Sequence, residues 1–246
     1  MQALQEDIGM NEFPRLCILL LTYNRLECAE KTLRSALDNL TYSGPLCVHI
    51  ADDGTGSEYI EKLIQLAGGY AHIQGVGVTN SEQGGYGRNY NLATQVIHEH
   101  SSIVLPLEDD WELLRHLDLD HLVRALIEGK FGCIRLGYLG ITQPLKGELV
   151  AANERLWLLL DPASEERHVF AGHPRLETVE WEKSVGPWPE ELDPNMTEFN
   201  VCALPGARSG VVWPICILHA DGDLFVHIGA ERAKRSIEGG VLVGND

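Results

Sequence analysis

The chain has 246 residues, 44% of them hydrophobic and 22% charged, which is typical of a soluble globular protein of one large or two small domains. Its 36 acidic residues outnumber its 19 basic ones and give a net charge of −17, which argues against a broad nucleic-acid interface because such binding depends on Lys and Arg. The longest apolar run, Leu16–Leu21, is far shorter than the roughly 20 residues of a membrane-spanning helix, and the acidic N-terminal segment does not resemble a secretory signal. We therefore expect a cytoplasmic protein that does not insert into a membrane.

The first half of the chain alternates short strand-like runs with helix-like segments. This alternation predicts an α/β fold with a mostly parallel central sheet flanked by helices. The predicted strands are Leu16–Thr22, Cys47–Ala51, Ile73–Val78 and Ile103–Leu107. The predicted helices are Glu27–Leu40, Tyr59–Ala67 and Asn89–His98, the last of which follows a glycine-rich loop at Gln83–Arg88.

The second half of the chain has a looser pattern. A helix is predicted at Leu117–Ile127, and a helical patch around Leu176–Val185. The predicted strands are Cys133–Leu136, Leu156–Leu160 and Leu224–Ile228. A stretch rich in Pro and Gly also carries three tryptophans that either shape a binding surface or pack in the core, namely Trp181, Trp188 and Trp213.

Polar clusters follow three of the predicted strands. Thr22–Arg25 follows the first strand, Asp52-Asp53 the second, and Glu108–Asp110 the fourth. Ligands of open α/β sheets bind beyond the carboxyl ends of the strands, so these three clusters are expected to meet at one edge of the sheet.

The triplet Glu108–Asp110 is the strongest candidate for a metal site. A carboxylate cluster can approach a phosphate-bearing ligand only through a divalent cation, and hard oxygen ligands select Mg²⁺ or Mn²⁺. A solvated acidic turn is the alternative for the triplet taken alone. His227, near the end of the last predicted strand, is either a further Mn²⁺ ligand or a structural histidine.

The other polar clusters also allow two interpretations each. Asp52 and Asp53 either accept hydrogen bonds from a base or ribose, or form an Asx turn before the next helix. Tyr23 could lie against a base and Arg25 could bind phosphate, but an ordinary strand-to-helix connection has the same composition. The glycine-rich loop around Arg88 lacks the P-loop and dinucleotide-binding spacings. It either brings backbone and the positive charge of Arg88 close to a ligand, or it is simply a flexible loop.

In combination, these segments resemble the inverting family 2 glycosyltransferases with a GT-A fold. The matching stretches are Leu19–Arg25, Ile50–Thr55, Asn80–Asn91 and Leu105–Asp110, in the right order, and the last is similar to the metal-binding Asp-x-Asp segment. The resemblance implies a GT-A fold and transfer of a sugar from a nucleotide-diphosphate donor, expected to be a UDP-sugar. It also implies Mn²⁺ or Mg²⁺ as cofactor.

The resemblance assigns roles to the matching positions. The main metal ligand would be Asp110, and Glu108, which stands where the family motif has Asp, would help through water or sugar hydroxyls. Arg88 would lie near the diphosphate or the donor sugar. The remaining nucleotide and donor contacts are expected from Thr22, Tyr23, Asn24, Arg25, Asp52, Asp53 and Asp109.

The second half resembles the family less closely. Pro194–Phe199 is similar to the segment that carries the catalytic base, which makes Glu198 the candidate base. Glu177, Glu180 and Glu191 are rivals for that role. The stretch Phe225–Gly229 resembles one in which a C-terminal histidine completes the metal site, so His227 becomes an expected ligand.

Residues 1–112 are expected to form the nucleotide-sugar-binding half, and residues 113–246 the acceptor-binding half, of one GT-A domain. The sequence does not decide whether the acceptor is a glycan, a protein, a small molecule or a hydroxymethylated base in DNA. It does not indicate the oligomeric state either. A DNA acceptor would require a basic cluster, whose candidate members are Arg167, Arg175, Arg208, Arg232, Lys234 and Arg235. A nucleotidyltransferase and a non-catalytic nucleotide-sugar-binding protein are the alternative functions.

Overall fold

The computed structural model describes residues 13–136, 146–164, 169–170, 172–213 and 224–229. The strands of the first half are β1 (Leu16–Thr22), β2 (Leu40–Thr41), β3 (Leu46–Asp52), β4 (Ile73–Asn80), β5 (Ile103–Glu108), β6 (Trp111–Leu113) and β7 (Leu117–Asp118). Those of the second half are β8 (Cys133–Arg135), β9 (Gly147–Ala152), β10 (Arg155–Leu160), β11 (Arg175–Thr178), β12 (Val211–Trp213) and β13 (Phe225–His227). The helices are α1 (Leu26–Asn39), α2 (Ser57–Gly68), α3 (Tyr86–Ile97), α4 (Leu119–Gly129), α5 (Val179–Val185) and α6 (Pro194–Val201).

Within the described ranges, nine strands form one central sheet in the order β4-β3-β1-β5-β11-β8-β12-β10-β9. The four strands β4, β3, β1 and β5 run parallel, as the alternation of strands and helices predicts. Beyond β5 the sheet is mixed, because β11 pairs antiparallel with both β5 and β8 whereas β12 runs parallel to β8. The predicted α/β fold class is confirmed.

The strand β1 shows why the centre of the sheet is so apolar. All seven of its residues are buried, and alternate side chains enter different hydrophobic cores. Leu16, Ile18 and Leu20 point into one core, while Leu19 and Leu21 point into the other. A strand covered by helices on both faces therefore lacks the apolar–polar alternation of a half-exposed strand.

Some predicted elements of the first half differ from the observed ones at their ends. Helix α3 begins at Tyr86, three residues before its predicted start, because Gly85 adopts a positive φ of 81° and ends the preceding loop. Helix α4 begins at Leu119, and Asp118 caps it by accepting a hydrogen bond from the backbone N–H of Asp120 at 3.0 Å. Leu117–Asp118 instead pairs with β2 as the short strand β7.

The helical patch predicted around Leu176–Val185 is wrong over its first residues. Arg175–Thr178 is the strand β11, and the helix α5 begins only at Val179, capped by the side chain of Thr178. Pairing with two neighbouring strands overrides the local helical pattern there. The strands β9 and β12 were not predicted.

The three tryptophans of the Pro- and Gly-rich stretch belong to the core. Trp181, Trp188 and Trp213 are 7%, 2% and 4% exposed, so core packing accounts for them. Trp188 stacks on the ring of Tyr90 in α3, with 4.0 Å between the ring centroids. Across the described ranges, every helix is too short or too polar to span a bilayer.

Candidate functional site

The predicted polar clusters meet at the carboxyl edge of the parallel strands. In the strand register, Thr22 at the end of β1 lies opposite Asp52 at the end of β3. On the other side of β1, Leu21 lies opposite Glu108 at the end of β5. Three chain segments thus deliver their polar side chains to one edge, which is where ligands of open α/β sheets bind.

Asp109 is a fully buried carboxylate of this edge, with 0% of the residue exposed. Its Oδ2 accepts hydrogen bonds from the Thr22 hydroxyl at 2.9 Å and from the Tyr23 backbone N–H at 3.2 Å, and its Oδ1 contacts the Arg25 guanidinium. Burial raises the pKa of Asp109 to about 6, although the positive charge of Arg25 opposes the rise. Asp109 and Asp110 are therefore buried and Glu108 is half-buried, so the triplet is not a solvated turn.

Asp110 lies beside two basic side chains. Its Oδ2 is 2.6 Å from Nη1 of Arg25 and 3.3 Å from Nε2 of His227. Burial acts to raise the pKa of Asp110, but the hydrogen bond from His227 and the charge of Arg25 outweigh it and bring the pKa below its ordinary value. The backbone is joined as well, since the Ile228 N–H donates to the carbonyl of Asp110 at 2.8 Å.

The pair of Asp110 and His227 fits a divalent cation by its chemistry. The second carboxylate oxygen of Asp110, Oδ1, is buried and has no hydrogen-bond partner among the described residues. A carboxylate oxygen and an imidazole nitrogen are both ligands of Mn²⁺. The described residues hold no cluster of three or more metal-binding side chains, so this pair would leave several coordination positions to other ligands.

Glu108 and Glu198 approach each other across Gly172. The Gly172 backbone N–H donates to Oε1 of Glu198 at 2.7 Å, and a β-carbon at this position would collide with the carboxylates of both glutamates. Burial, and next the negative charge of Glu198, raise the pKa of Glu108 well above its ordinary value. The structure thus brings the candidate base, on α6, to the end of β5.

Asp52 forms a local turn, and Asp53 makes a longer-range contact. Oδ2 of Asp52 accepts hydrogen bonds from the backbone N–H groups of Gly54 at 3.0 Å and Thr55 at 2.7 Å, which is an Asx-type turn. Asp53 accepts from the backbone N–H of Gly85 at 3.1 Å and so ties the glycine-rich loop to β3. Oδ1 of Asp52 is buried without a hydrogen-bond partner in the described ranges.

The remaining candidates for nucleotide contacts surround this edge. Asn24 is exposed in the left-handed region with a φ of 49°, and Tyr23 is half-buried, its hydroxyl 3.5 Å from the Gln83 side-chain amide. Arg88 is exposed, and its aliphatic stem lies close against Gly84.

The rival glutamates lie elsewhere. Glu177 is 0% exposed and pairs with Arg175, with 2.7 Å between Nε and Oε2. Glu180 and Glu191 are exposed on α5 and in the segment before α6.

One candidate member of the basic cluster considered for a DNA acceptor is buried. Arg175 is 1% exposed and cannot contact phosphate, and Arg208 donates to the Ser164 carbonyl at 2.6 Å. The other members, Arg167, Arg232, Lys234 and Arg235, lie outside the described residues.

No protein-family model and no curated protein sequence matches the chain. S. aureus TarS matches with a TM-score of 0.61 and 15% identity over 86% of this chain and 36% of that chain. The TarS 1–349 structure in complex with UDP-GlcNAc matches with a TM-score of 0.61 and 13% identity, covering 86% of this chain and 57% of the other.

A mannosyltransferase, PcManGT from Pyrobaculum calidifontis in complex with GDP-Man and Mn²⁺, matches with a TM-score of 0.53 and 16% identity over 94% of this chain and 64% of that chain. The fold is of the GT-A type. The chain spans less than two thirds of the length of each of these structures. At such low identity the likeness establishes the fold alone.

Four residues at this edge of the GT-A fold were not predicted. Tyr59 contacts the Thr22 hydroxyl, and Gly172 separates the two glutamates. Trp111 lies between the rings of His173 and His227, with centroid distances of 5.4 and 5.0 Å. Trp111 directly follows Asp110, so the sequence could have indicated that it belongs to the site. The other three residues come from distant parts of the chain, and no local signal marks them.

Proposed function

We propose that this chain transfers a sugar from a nucleotide-diphosphate donor to an acceptor hydroxyl with inversion at the anomeric carbon, using Mn²⁺ or Mg²⁺. The proposal rests on one observation: a candidate metal-binding pair and a candidate base lie close together at one sheet edge. The pair Asp110 and His227 offers a metal site, and Glu198 faces the end of the same strand β5 through Gly172.

The donor class is supported by the matched structures together with the local geometry. TarS 1–349 has been crystallised with UDP and with UDP-GlcNAc, and PcManGT with GDP-Man and Mn²⁺. In this chain, the nucleotide would lie along Thr22, Tyr23, Asn24, Asp52 and Asp53, with Arg88 near the diphosphate. Asp109 would orient Thr22 and Tyr23 through the hydrogen bonds described above.

Each residue of the site has a part in the proposed reaction. A divalent cation at Asp110 and His227 would offset the charge that develops on the departing nucleoside diphosphate. Glu198 accepts the proton of the acceptor hydroxyl while that oxygen bonds to the anomeric carbon, and the bond from this carbon to the diphosphate oxygen breaks with its electron pair. Attack from the face opposite the leaving group inverts the configuration.

We assign residues 1–112 to the donor side and residues 113–246 to the acceptor side of one domain. His227 is the exception, because the pairing of β13 with β6 returns it to the donor side. The acceptor itself is proposed to be a glycan, protein or small molecule. The burial of Arg175 removes one of the cations that a DNA acceptor would need.

A thermal-shift panel of UDP- and GDP-sugars with and without Mn²⁺ tests the proposal. At a ligand concentration about 100 times Kd, binding adds about 2.7 kcal/mol to the free energy of unfolding, which is a shift of roughly 5–10 °C for a domain of this size. We expect a nucleotide sugar to stabilise the wild type in an Mn²⁺-dependent way, and this Mn²⁺ dependence to be lost in Asp110→Asn. The control Asp38→Asn, on the exposed side of α1, should keep the Mn²⁺ dependence of the wild type.

Hydrolysis or transfer, measured as released nucleoside diphosphate, separates an enzyme from a binding protein. Stabilisation without any turnover would leave the non-catalytic binding protein as the function. Stabilisation of Asp110→Asn that equals the wild type with Mn²⁺ would refute the metal assignment.

A further inference from the structure

Arg25 occupies an unusual position for a cation. It is the N-cap residue of α1, where its side chain makes no capping hydrogen bond. The N-terminus of a helix carries a partial positive charge, so an arginine there is unfavourable unless carboxylates compensate it. The guanidinium spans two carboxylates of the candidate site, contacting Oδ1 of Asp109 and, at 2.6 Å, Oδ2 of Asp110.

Burial differs sharply between the three side chains. The side chains of Asp109 and Asp110 are 0% and 6% exposed, whereas that of Arg25 is 31% exposed. Two buried carboxylates without a cation would be costly, and Arg25 supplies the positive charge from the solvent side. Arg25 therefore has a partly open path away from the carboxylates, while the carboxylates themselves are fixed.

The same carboxylate would have to serve two cations. Arg25 and His227 both approach Oδ2 of Asp110, and Oδ1 of Asp110 has no hydrogen-bond partner in the described chain. A divalent cation at Asp110 would lie within a few ångströms of the guanidinium. The two positive charges repel each other, so one weakens the binding of the other.

We infer that Arg25 is a built-in competitor of the divalent cation, which holds Asp109 and Asp110 in the free protein and turns to the donor diphosphate when the cation binds. The inference rests on the proposed metal-dependent transfer and adds a coupling to it. The direction of movement follows from the neighbours of Arg25. Tyr23 and Asn24, two of the proposed nucleotide contacts, immediately precede it, and Asn24 adopts the left-handed region with a φ of 49°.

This exchange couples the two ligands of the site. The free protein binds the metal weakly because Arg25 must leave Asp110, whereas a bound diphosphate offers Arg25 a new partner. Nucleotide and metal therefore bind cooperatively, each raising the affinity of the other by the same factor.

Mn²⁺ titration of the purified full chain, followed by electron paramagnetic resonance of the free ion, measures this competition without any turnover. The variants are Arg25→Gln, Arg25→Lys and Asp110→Asn, and the control is Arg34→Gln, an exposed arginine further along α1. We expect Arg25→Gln to bind Mn²⁺ about ten-fold more tightly than the wild type in the absence of nucleotide, from the removal of one nearby charge. Arg25→Lys, which can reach only one carboxylate, gives a smaller gain of about two- to four-fold.

The second measurement repeats the titration with saturating UDP or GDP. Addition of the nucleotide raises the Mn²⁺ affinity of the wild type. In Arg25→Gln this increase is smaller by a factor of at least about five, because the coupling through Arg25 is gone. The lysine variant keeps the test informative if the glutamine variant does not fold.

The outcomes separate this inference from the proposed function. Mn²⁺ binding that depends on Asp110 but is unchanged or weaker in folded Arg25→Gln and Arg25→Lys overturns the competition alone. Mn²⁺ binding that is absent from the wild type and the Arg25 variants, or that survives in Asp110→Asn, overturns both the metal site and the competition.

Discussion

Two of the carboxylate clusters in the described part of the chain are largely buried, and they are built differently. Glu177 belongs to a closed cluster in which Arg175 donates to Oε2 at 2.7 Å and the Tyr90 hydroxyl to Oε1 at 2.7 Å, while Arg175 also reaches the Tyr90 hydroxyl at 3.0 Å. Glu108–Asp110 belongs to an open cluster at the sheet edge. There, Asp110 retains a buried oxygen without a hydrogen-bond partner in the described residues.

This difference in hydrogen bonding distinguishes a carboxylate with a structural role from one that can bind a ligand. Both groups are buried, so burial alone does not distinguish them. In the closed cluster each carboxylate oxygen has a donor, and the guanidinium lies near the rings of Phe170 and Trp188, 5.4 and 5.5 Å from their centroids. In the open cluster, a glycine keeps two carboxylates close and a partly exposed arginine supplies the charge, which leaves capacity for a ligand.

Breaking the closed cluster has the largest expected effect on stability. In Arg175→Met, Glu177 loses its ion pair while remaining buried, and we expect the free energy of unfolding to fall by about 3–5 kcal/mol. Urea denaturation measures the change. The double variant Arg175→Met/Glu177→Met should recover most of the loss; a double variant as unstable as the single one would contradict the role of the ion pair.

Glu198→Gln tests the open cluster through chemistry. Loss of the proposed base should lower kcat about 10²–10⁴-fold while donor affinity changes little. The matched controls are Glu180→Gln and Glu191→Gln, both exposed, which should retain nearly wild-type turnover. Full activity in Glu198→Gln would place the base elsewhere.

Gly172→Ala changes the geometry of the open cluster without replacing a titratable residue. The added β-carbon would collide with Glu108 and Glu198, and a displacement of about 1 Å at a reacting group costs on the order of 10²-fold in rate. Gly75→Ala in β4 is the control, since a β-carbon there meets no atom within 4 Å. Equal turnover of the two alanine variants would show that the approach of the glutamates is unimportant.

The pH dependence of stability has the smallest expected effect. The pKa of Asp109 rises from 3.8 to about 6 on folding, so the folded state binds its proton more tightly than the unfolded state. The tighter proton binding stabilises the fold at low pH, and this stabilisation is lost as pH rises toward 6 and beyond. Relative to Asp109→Asn, the wild type should lose about 2 kcal/mol between pH 4.5 and 7.5 without divalent cations, as measured by urea denaturation. A constant difference between the two proteins would contradict the raised pKa.

The parallel half of the sheet was predictable because its signals are local. The apolar run Leu16–Leu21 and the polar residues after it are contiguous in sequence, and parallel strands bring such ends together automatically. The mixed half was not. Arg175–Thr178 forms a strand only because β5 and β8 pair with it, and Val211–Trp213 is a strand of three residues held by two distant partners.

The site follows the same division. The clusters Thr22–Arg25, Asp52-Asp53 and Glu108–Asp110 were predicted to meet, and they do. The contact of Arg25 with Asp110 was not predictable, because 85 positions separate the two residues and either could face solvent. Gly172 has no side chain to signal a role, and its importance comes only from the two glutamates on either side.

The pairing of β13 with β6 has a consequence for the order in which the protein forms. His227 lies opposite Trp111 in this ladder, so residues more than a hundred positions apart must meet before Asp110 gains its imidazole neighbour. During synthesis the parallel half can collapse as soon as it emerges, because its pairings are much closer in sequence. The contact between Asp110 and His227 is thus expected late in folding, after the parallel pairings at the sheet edge have formed.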